Sequence, residues 1–134
     1  MSQERSDQAT ATILVADDDP QILSMVAIRL GSKGYRVVEA RDGLEALKVC
    51  RAEKPDLILL DVMMPNMNGW EVAREVRADP GLKSVGIVML TAIGEHINQL
   101  TSPLYGADEY IDKPFDFAEL ERKIQTVLEK RGRG

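Results

Sequence analysis

Short apolar stretches alternate along the chain with longer stretches in which apolar residues recur every three or four positions. The short stretches are typical of strands, and the recurring positions are typical of amphipathic helices. The uninterrupted apolar run at 57–60 favours a strand buried on both faces, as in a parallel sheet. Pro65 lacks the backbone donor that a strand needs, so this strand is expected to end near Asp61. The predicted strands are residues 13–16, 36–40, 57–61, 85–90 and 109–112.

Capping residues mark where the helices between these strands begin. Asp19 before Pro20 fits an N-cap followed by proline at the first helical position, and Gly31 or Gly34 is expected to end that helix. Two acidic pairs three residues apart resemble capping boxes. The remaining signals for helix starts are Asp42 with Glu45, Gly69, Glu95, and Asp116 with Glu119.

Five strands alternating with five helices predict an α/β fold with a parallel sheet covered on both faces. The length of 134 residues fits one domain with a substantial core. The polar residues 1–11 show no periodicity and are predicted to be a disordered leader. The folded domain is predicted over 12–130, and residues 131–134 are predicted to form a flexible tail.

Composition narrows the classes of protein to which the chain can belong. A net charge of −5 and the lack of a basic stripe argue against direct binding to a nucleic-acid backbone. Cys50 is the single cysteine, which excludes an internal disulfide and fits a reducing compartment, and its helical context predicts a buried packing residue. No apolar run has the length of a signal region or a membrane span. A cytoplasmic protein without membrane contact is expected.

Polar residues fall where four of the predicted strands end. Asp17 and Asp18 follow the first strand, Asp61 ends the third, Thr91 follows the fourth and Lys113 follows the fifth. A doubly wound sheet brings such positions together at one edge, where this architecture binds ligands. Each residue alone also fits an ordinary role, such as a helix cap, a turn or an exposed lysine. Those ordinary roles do not explain why all five fall on the same edge.

The residue types at this edge fit phosphoryl chemistry. Three neighbouring carboxylates repel one another unless a cation or protons neutralise them, and Mg²⁺ prefers such oxygen ligands. Zinc is disfavoured because His96 and Cys50 are the only histidine and cysteine. A lysine and a hydroxyl can hold phosphoryl oxygens. Asp61 is then the plausible nucleophile, and its product would be an aspartyl phosphate.

Four stretches match a known family: ILVADDDP at 13–20, LILLDVMMPNMNG at 57–69, VMLTA at 88–92 and GADEYIDKPF at 106–115. The chain resembles the receiver domain of bacterial two-component response regulators, including the chemotaxis regulators, from about residue 13 to 130. The resemblance implies a flavodoxin-like three-layer fold with strand order 2-1-3-4-5.

The resemblance also assigns roles to individual residues. Asp61 would accept a phosphoryl group from a phosphohistidine on a histidine kinase or a histidine phosphotransfer protein. Asp18 and Asp61 would bind Mg²⁺ (or Mn²⁺) directly and Asp17 through water, with the backbone carbonyl of Met63 as a further ligand. The domain would be a phosphoacceptor that assists its own phosphorylation and dephosphorylation rather than an enzyme in the ordinary sense.

A switch is implied as well. Thr91 and Lys113 would hold the phosphoryl oxygens, and movement of Thr91 would let the ring of Tyr110 turn inward. That rotation would alter the face formed by the fourth helix, fifth strand and fifth helix, which often carries contacts to a downstream target or forms homodimers in relatives. Pro103 departs from the family pattern, because proline in the fourth helix would kink or shorten it.

Other functions remain open on the sequence. A phosphatase with an aspartyl-phosphate intermediate would need an acid where Met63 stands. A flavin-binding protein would need a phosphate loop where the acidic residues 17–19 stand, and a receiver that serves only for docking would not need all five site residues. In receivers, the positions two residues after the phosphoacceptor and after the site threonine influence hydrolysis of the acyl phosphate. Here they hold Met63 and Ile93, which offer no hydrogen bond to water, so the resemblance implies a phosphoryl lifetime of minutes or more. A complete single-domain regulator and a receiver from a longer regulator or hybrid kinase both fit.

Overall fold

The computed structural model describes residues 10–92 and 106–132. Five parallel strands form one sheet in the order β2-β1-β3-β4-β5. The strands are β1 (Thr12–Ala16), β2 (Arg36–Ala40), β3 (Leu57–Asp61), β4 (Gly86–Thr91) and β5 (Glu109–Asp112). The helices among the described residues are α1 (Pro20–Ser32), α2 (Gly43–Glu53), α3 (Gly69–Ala78) and the C-terminal helix (Phe117–Lys130).

Helices cover both faces of this sheet, each over its own apolar cluster. On one face, Ile58 and Leu60 of β3 pack with residues of α2 and α3. On the other face, Leu57 and Leu59 pack with residues of α1 and the C-terminal helix. All four side chains are fully buried, which explains why the run at 57–60 lacks the alternation of a half-exposed strand. The predicted flavodoxin-like, doubly wound architecture and its strand order are confirmed.

Strand register determines which residues meet at the carboxyl edge of the sheet. Ala16 lies opposite Leu60, so Asp17 and Asp61 each stand one residue beyond this pair. Asp61 in turn lies opposite Leu90 of β4, and Thr91 is the next residue along that strand. Because all the strands are parallel, the residues that follow β1, β3 and β4 share one edge.

The helix caps agree with the sequence in part. Asp19 caps α1 as predicted, with its side chain accepting a hydrogen bond from Gln21 N. The sequence offers Gly31 or Gly34 as the end of α1, and Gly34 is the one that ends it, because the helix continues past Gly31 to Ser32 and Lys33 is the C-cap. Gly34 follows in the turn with a φ of 99°, the left-handed conformation that glycine adopts without strain.

The predicted capping boxes form differently from the expectation. Glu45 N donates to Asp42 Oδ1, but the Glu45 carboxylate accepts from Arg41 N rather than from the cap residue. Asp116 caps the C-terminal helix by accepting from Ala118 N. A complete capping box is present at the start of α3, between Asn68 and Glu71. Its sequence signature, a polar cap followed three residues later by glutamate, is present in Asn68–Glu71.

Several predicted boundaries fall at different residues in the structure. Strand β4 is Gly86–Thr91 rather than 85–90. Ala11, which the sequence assigns to the leader, is buried, and its carbonyl accepts a hydrogen bond from Arg36 N. Arg131, assigned to the tail, is the C-cap of the last helix and contacts Asp108. The predicted fourth helix, with His96 and Pro103, lies outside the described residues.

Cys50 is buried in α2, as predicted, and burial raises the pKa of its thiol to about 11. A thiol with this pKa stays protonated near neutral pH and is a poor nucleophile. None of the helices in the described part of the chain combines the length and the apolar character needed to cross a membrane.

Candidate functional site

Three carboxylates converge at the carboxyl edge of the sheet. Asp17, Asp18 and Asp61 each offer one oxygen, and these oxygens lie within 4.8 Å of one another. Asp17 and Asp61 are buried, whereas Asp18 is exposed. The cluster has one side open to solvent, so a ligand can reach it.

Backbone contacts hold Asp17 in place. Its N–H donates to the carbonyl of Ala40, which ends the neighbouring strand β2, at 3.1 Å. Its Oδ1 accepts a hydrogen bond from Asp19 N at 2.9 Å, in the turn that leads into α1. These contacts leave Oδ2 directed to the other groups of the cluster.

Lys113 is the cation next to these acids in the described part of the chain. Its Nζ lies 2.7 Å from Asp17 Oδ2 and 3.5 Å from Asp61 Oδ2. The sequence predicted Lys113 at this edge, but not that its closer partner is Asp17. Burial disfavours the lysine charge, yet the close contact with Asp17 and the charges of Asp61 and Asp17 outweigh it and raise the pKa of Lys113.

Asp61 is strongly perturbed by this environment. Burial, followed by the charge of Asp17, raises the pKa of Asp61 from 3.8 to about 7. Lys113 and the N–H of Met63 oppose the rise without cancelling it, and Asp18 adds to it. The ionised carboxylate is therefore costly in this protein without a further cation, which would supply the missing positive charge.

The loop at 62–68 between β3 and α3 is held by its own hydrogen bonds. Met63 N donates to Asp61 Oδ1 at 3.1 Å, so the loop fixes one oxygen of that carboxylate. The carbonyl of Val62 accepts from Met64 N and from Gly69 N. Met63 is 62% exposed, so the residue two positions after Asp61 presents an apolar group, rather than an acid, to solvent.

The other two predicted site residues lie on β4 and β5. Thr91 is on β4, and its backbone pairs in register with Asp112 of β5. Tyr110 is on β5, half-buried against the apolar cluster on the α2 and α3 face. Lys123 Nζ donates to the carbonyl of Tyr110 at 2.7 Å and lies 4.7 Å from the centre of its ring. Sequence spacing gives no signal for this contact, because the two residues are on different elements.

Comparison with known proteins agrees with this geometry. The family model described as the response regulator receiver domain matches residues 13–125. A probable transcriptional regulator of Guillardia theta is 42% identical over 118 residues, which are 88% of this chain and 45% of that protein. The chain spans about half the length of the curated relatives it matches.

Solved structures show the same fold. A chemotaxis response regulator of Vibrio cholerae has a TM-score of 0.83 and 35% identity, with 88% of this chain and 98% of that one covered. The receiver domain of a sensor histidine kinase of Pseudomonas aeruginosa has a TM-score of 0.82 and 32% identity, with 90% and 98% covered. The latter structure is described with a magnesium ion coordinated in its active-site cleft.

The order of the strands, the acidic cluster at their carboxyl edge and the match over residues 13–125 lead to one conclusion. This chain belongs to the response regulator receiver domains of two-component signal transduction.

Proposed function

We propose that this receiver domain is controlled by phosphorylation of Asp61, with a phosphohistidine on a histidine kinase or histidine phosphotransfer protein as the donor. The observation that carries the proposal is the convergence of three carboxylate oxygens within 4.8 Å of one another beside Lys113. Asp61 is the member of this cluster that ends the central strand β3. An acid so placed is held by the sheet, with one oxygen fixed by Met63 N and the other 3.5 Å from Lys113 Nζ.

The transfer is a displacement at phosphorus. An oxygen of ionised Asp61 forms a bond to the phosphorus atom as the bond from phosphorus to the imidazole nitrogen of the donor breaks. The electron pair of that bond stays on the nitrogen, and the donor ring, protonated on its other nitrogen, leaves as neutral imidazole. Positioning and electrostatics supply most of the catalysis in such a reaction.

The residues at the site fit Mg²⁺. Asp18 and Asp61 would bind the ion directly, Asp17 through water, and the Met63 carbonyl would complete the protein ligands. The fit rests on the donor set, which is all oxygen, and on the raised pKa of Asp61, since burial and the charge of Asp17 disfavour the ionised form that a cation would stabilise. When bound, Mg²⁺ or Mn²⁺ would neutralise charge on the carboxylates and on the phosphoryl oxygens.

Lys113 and Thr91 would hold the phosphoryl group after transfer. Lys113 is 3.5 Å from Asp61 Oδ2, and a small movement away from Asp17 would bring its ammonium onto a phosphoryl oxygen. Thr91 would donate its hydroxyl, and its shift would let Tyr110 turn inward. The switch would change the face that includes β5 and the C-terminal helix, where a downstream protein or a second copy of this chain would bind.

The proposed role also predicts the location and the extent of the domain. We expect a cytoplasmic domain without direct contact to nucleic acid, with the receiver over residues 12–130. The curated relatives are about twice as long as the matched region, so the proposal concerns the receiver alone. The domain would assist its own phosphorylation and dephosphorylation rather than turn over a separate substrate.

Transfer from a phosphorylated histidine phosphotransfer protein tests this function. With Mg²⁺, the label on the donor histidine should move to this chain, and the product should be lost in hydroxylamine, as expected of an acyl phosphate. EDTA should abolish the transfer. A hydroxylamine-stable product, or equal labelling of Asp61→Asn, would contradict the proposal.

A further inference from the structure

Outside the acidic cluster, the start of α2 lies unusually close to the loop at 62–68. A methyl group on the buried Gly43 would overlap the backbone carbonyl of Met67. That neighbour is backbone, so it cannot rotate away as the end of a flexible side chain can. Any side chain at position 43 therefore has to displace the loop or the helix.

A second contact ties the same two segments together. Asp42 caps α2 through Oδ1, which accepts from Glu45 N at 2.8 Å. Its other oxygen, Oδ2, accepts from the side-chain amide of Asn66 at 3.2 Å. Asn66 has a φ of 72°, a left-handed conformation that asparagine tolerates. One carboxylate thus holds both the helix start and the tip of the loop.

The end of the loop is equally confined. Gly69, the first residue of α3, packs so tightly on β3 that a methyl group there would overlap the carbonyl of Asp61. Gly69 N also donates to the carbonyl of Val62 at 2.9 Å. Because Gly69 confines the end of the loop and Gly43 confines Met67 just before it, the loop has little freedom to move Met63, whose N–H donates to Asp61 Oδ1 at 3.1 Å.

We propose that Gly43 is a positioning residue for the phosphoryl site. It acts through the loop at 62–68, keeping the Met63 N–H on one oxygen of Asp61 so that the other oxygen faces the cation and the phosphoryl donor. This inference rests on the proposed function. Gly43 touches neither the reacting atoms nor the acidic cluster, and its contribution is the close backbone approach that only glycine permits here.

The test compares Gly43→Ala with Gly31→Ala. Both glycines lie in helices, but a methyl group on Gly31 would meet nothing within 4 Å. In EDTA, NMR amide exchange of Met63 should become at least tenfold faster in Gly43→Ala and stay unchanged in Gly31→Ala. Isothermal titration calorimetry with Mg²⁺ alone should show affinity weakened at least fivefold in Gly43→Ala only.

The amide of Ile58, in the central strand β3, distinguishes a positioning role from a general loss of stability. Equal acceleration at Ile58 and Met63 would mean that Gly43 is needed only for folding, and would overturn the inference. If Gly43→Ala does not fold, Asp42→Ser decides, because serine still caps the helix but is too short to reach Asn66. About threefold faster Met63 exchange supports the inference, and unchanged exchange overturns it.

The outcomes also separate this inference from the proposed function. Wild-type protein that binds no Mg²⁺ would overturn the proposed function, and the role of Gly43 at a phosphoryl site with it. If the wild type binds Mg²⁺ and Gly43→Ala keeps the wild-type affinity and Met63 exchange, only the inference is overturned.

Discussion

Replacing Asp61 with asparagine removes a carboxylate whose ionised form is disfavoured in the folded protein, and it keeps the shape of the side chain. The asparagine carbonyl can still accept the hydrogen bond from Met63 N. What disappears is an ionised carboxylate in a buried position next to Asp17. In the absence of divalent cations, we therefore expect Asp61→Asn to be more stable than the wild type at high pH.

The size of the effect follows from the pKa of Asp61. The pKa rises from 3.8 to about 7 on folding, so between these values the folded state binds more protons than the unfolded state. The contribution of Asp61 to the free energy of unfolding is fully present below pH 3.8 and is lost as the pH rises toward 7. The free energy of unfolding falls with pH over this range because the folded state holds the extra proton. At about 1.4 kcal/mol per pH unit, the full loss is roughly 4 kcal/mol.

Urea denaturation in EDTA at pH 5 and pH 8.5 measures this difference. The stability advantage of Asp61→Asn should grow by about 2 to 3 kcal/mol between the two pH values, and groups that titrate alike in both proteins cancel. Asp116→Asn is the matched control, since Asp116 is an exposed helix cap and asparagine caps about as well. An advantage that is the same at both pH values, or that shrinks as the pH rises, would refute the reasoning.

Three further predictions concern the metal, the scaffold and the lifetime of the phosphoryl group. Mg²⁺ at about 100 times its Kd for the wild type should stabilise the wild type by roughly 2.7 kcal/mol, and the same Mg²⁺ concentration should stabilise Asp61→Asn by less. If thermal unfolding shows equal stabilisation of the two proteins, Asp61 is not a ligand of the ion. Arg77→Ala should cost about 1 to 3 kcal/mol in urea denaturation, because it removes the hydrogen bonds to the carbonyls of Gly106 and Val85 while Arg131 still pairs with Asp108; an unchanged stability would show that these contacts are dispensable. With apolar residues at Met63 and Ile93, the phosphorylated protein should decay over minutes or more in Mg²⁺, and a lifetime of a few seconds would contradict this expectation.

The fold could be predicted from the sequence because the residues that indicate each strand and helix are close together in the chain. The apolar run at 57–60, the acid at 61 and Pro65 together predict a buried strand that ends at the site. The Asp19–Pro20 pair predicts the start of α1 in the same way. The positions of Asp17, Asp61 and Lys113 at one edge follow once the strands are parallel, since each residue comes directly after or at the end of a strand.

The parts that escaped prediction depend on contacts between distant segments. Asp108 accepts hydrogen bonds from Arg77 and Arg131, and these residues lie on different elements with no spacing that links them. The preference of Lys113 for Asp17 over Asp61 depends on side-chain directions that register alone does not set. The hydrogen bonds at the start of α2 differ from the predicted capping box for a related reason. The sequence does not determine which N–H group the Glu45 carboxylate bonds, and in the structure it accepts from Arg41 N rather than from Asp42 N.

The close backbone contacts of glycine residues could not be predicted from the sequence either. Gly43 in the sequence reads as a residue near a helix start, and nothing in its neighbours indicates that Met67 will pack against it. The distinction between a glycine that can be replaced and one that cannot required the positions of both segments.

Intact mass after incubation with acetyl phosphate and Mg²⁺ tests the central claim most directly. The account predicts that the wild type gains the mass of one phosphoryl group, that EDTA prevents the gain, and that Asp61→Asn gains nothing under the same conditions. Asp56→Asn, which alters an acid just before β3, should still be modified. A phosphoryl group on Asp61→Asn, or a wild type that stays unmodified with acetyl phosphate and with a phosphorylated histidine protein, would contradict it.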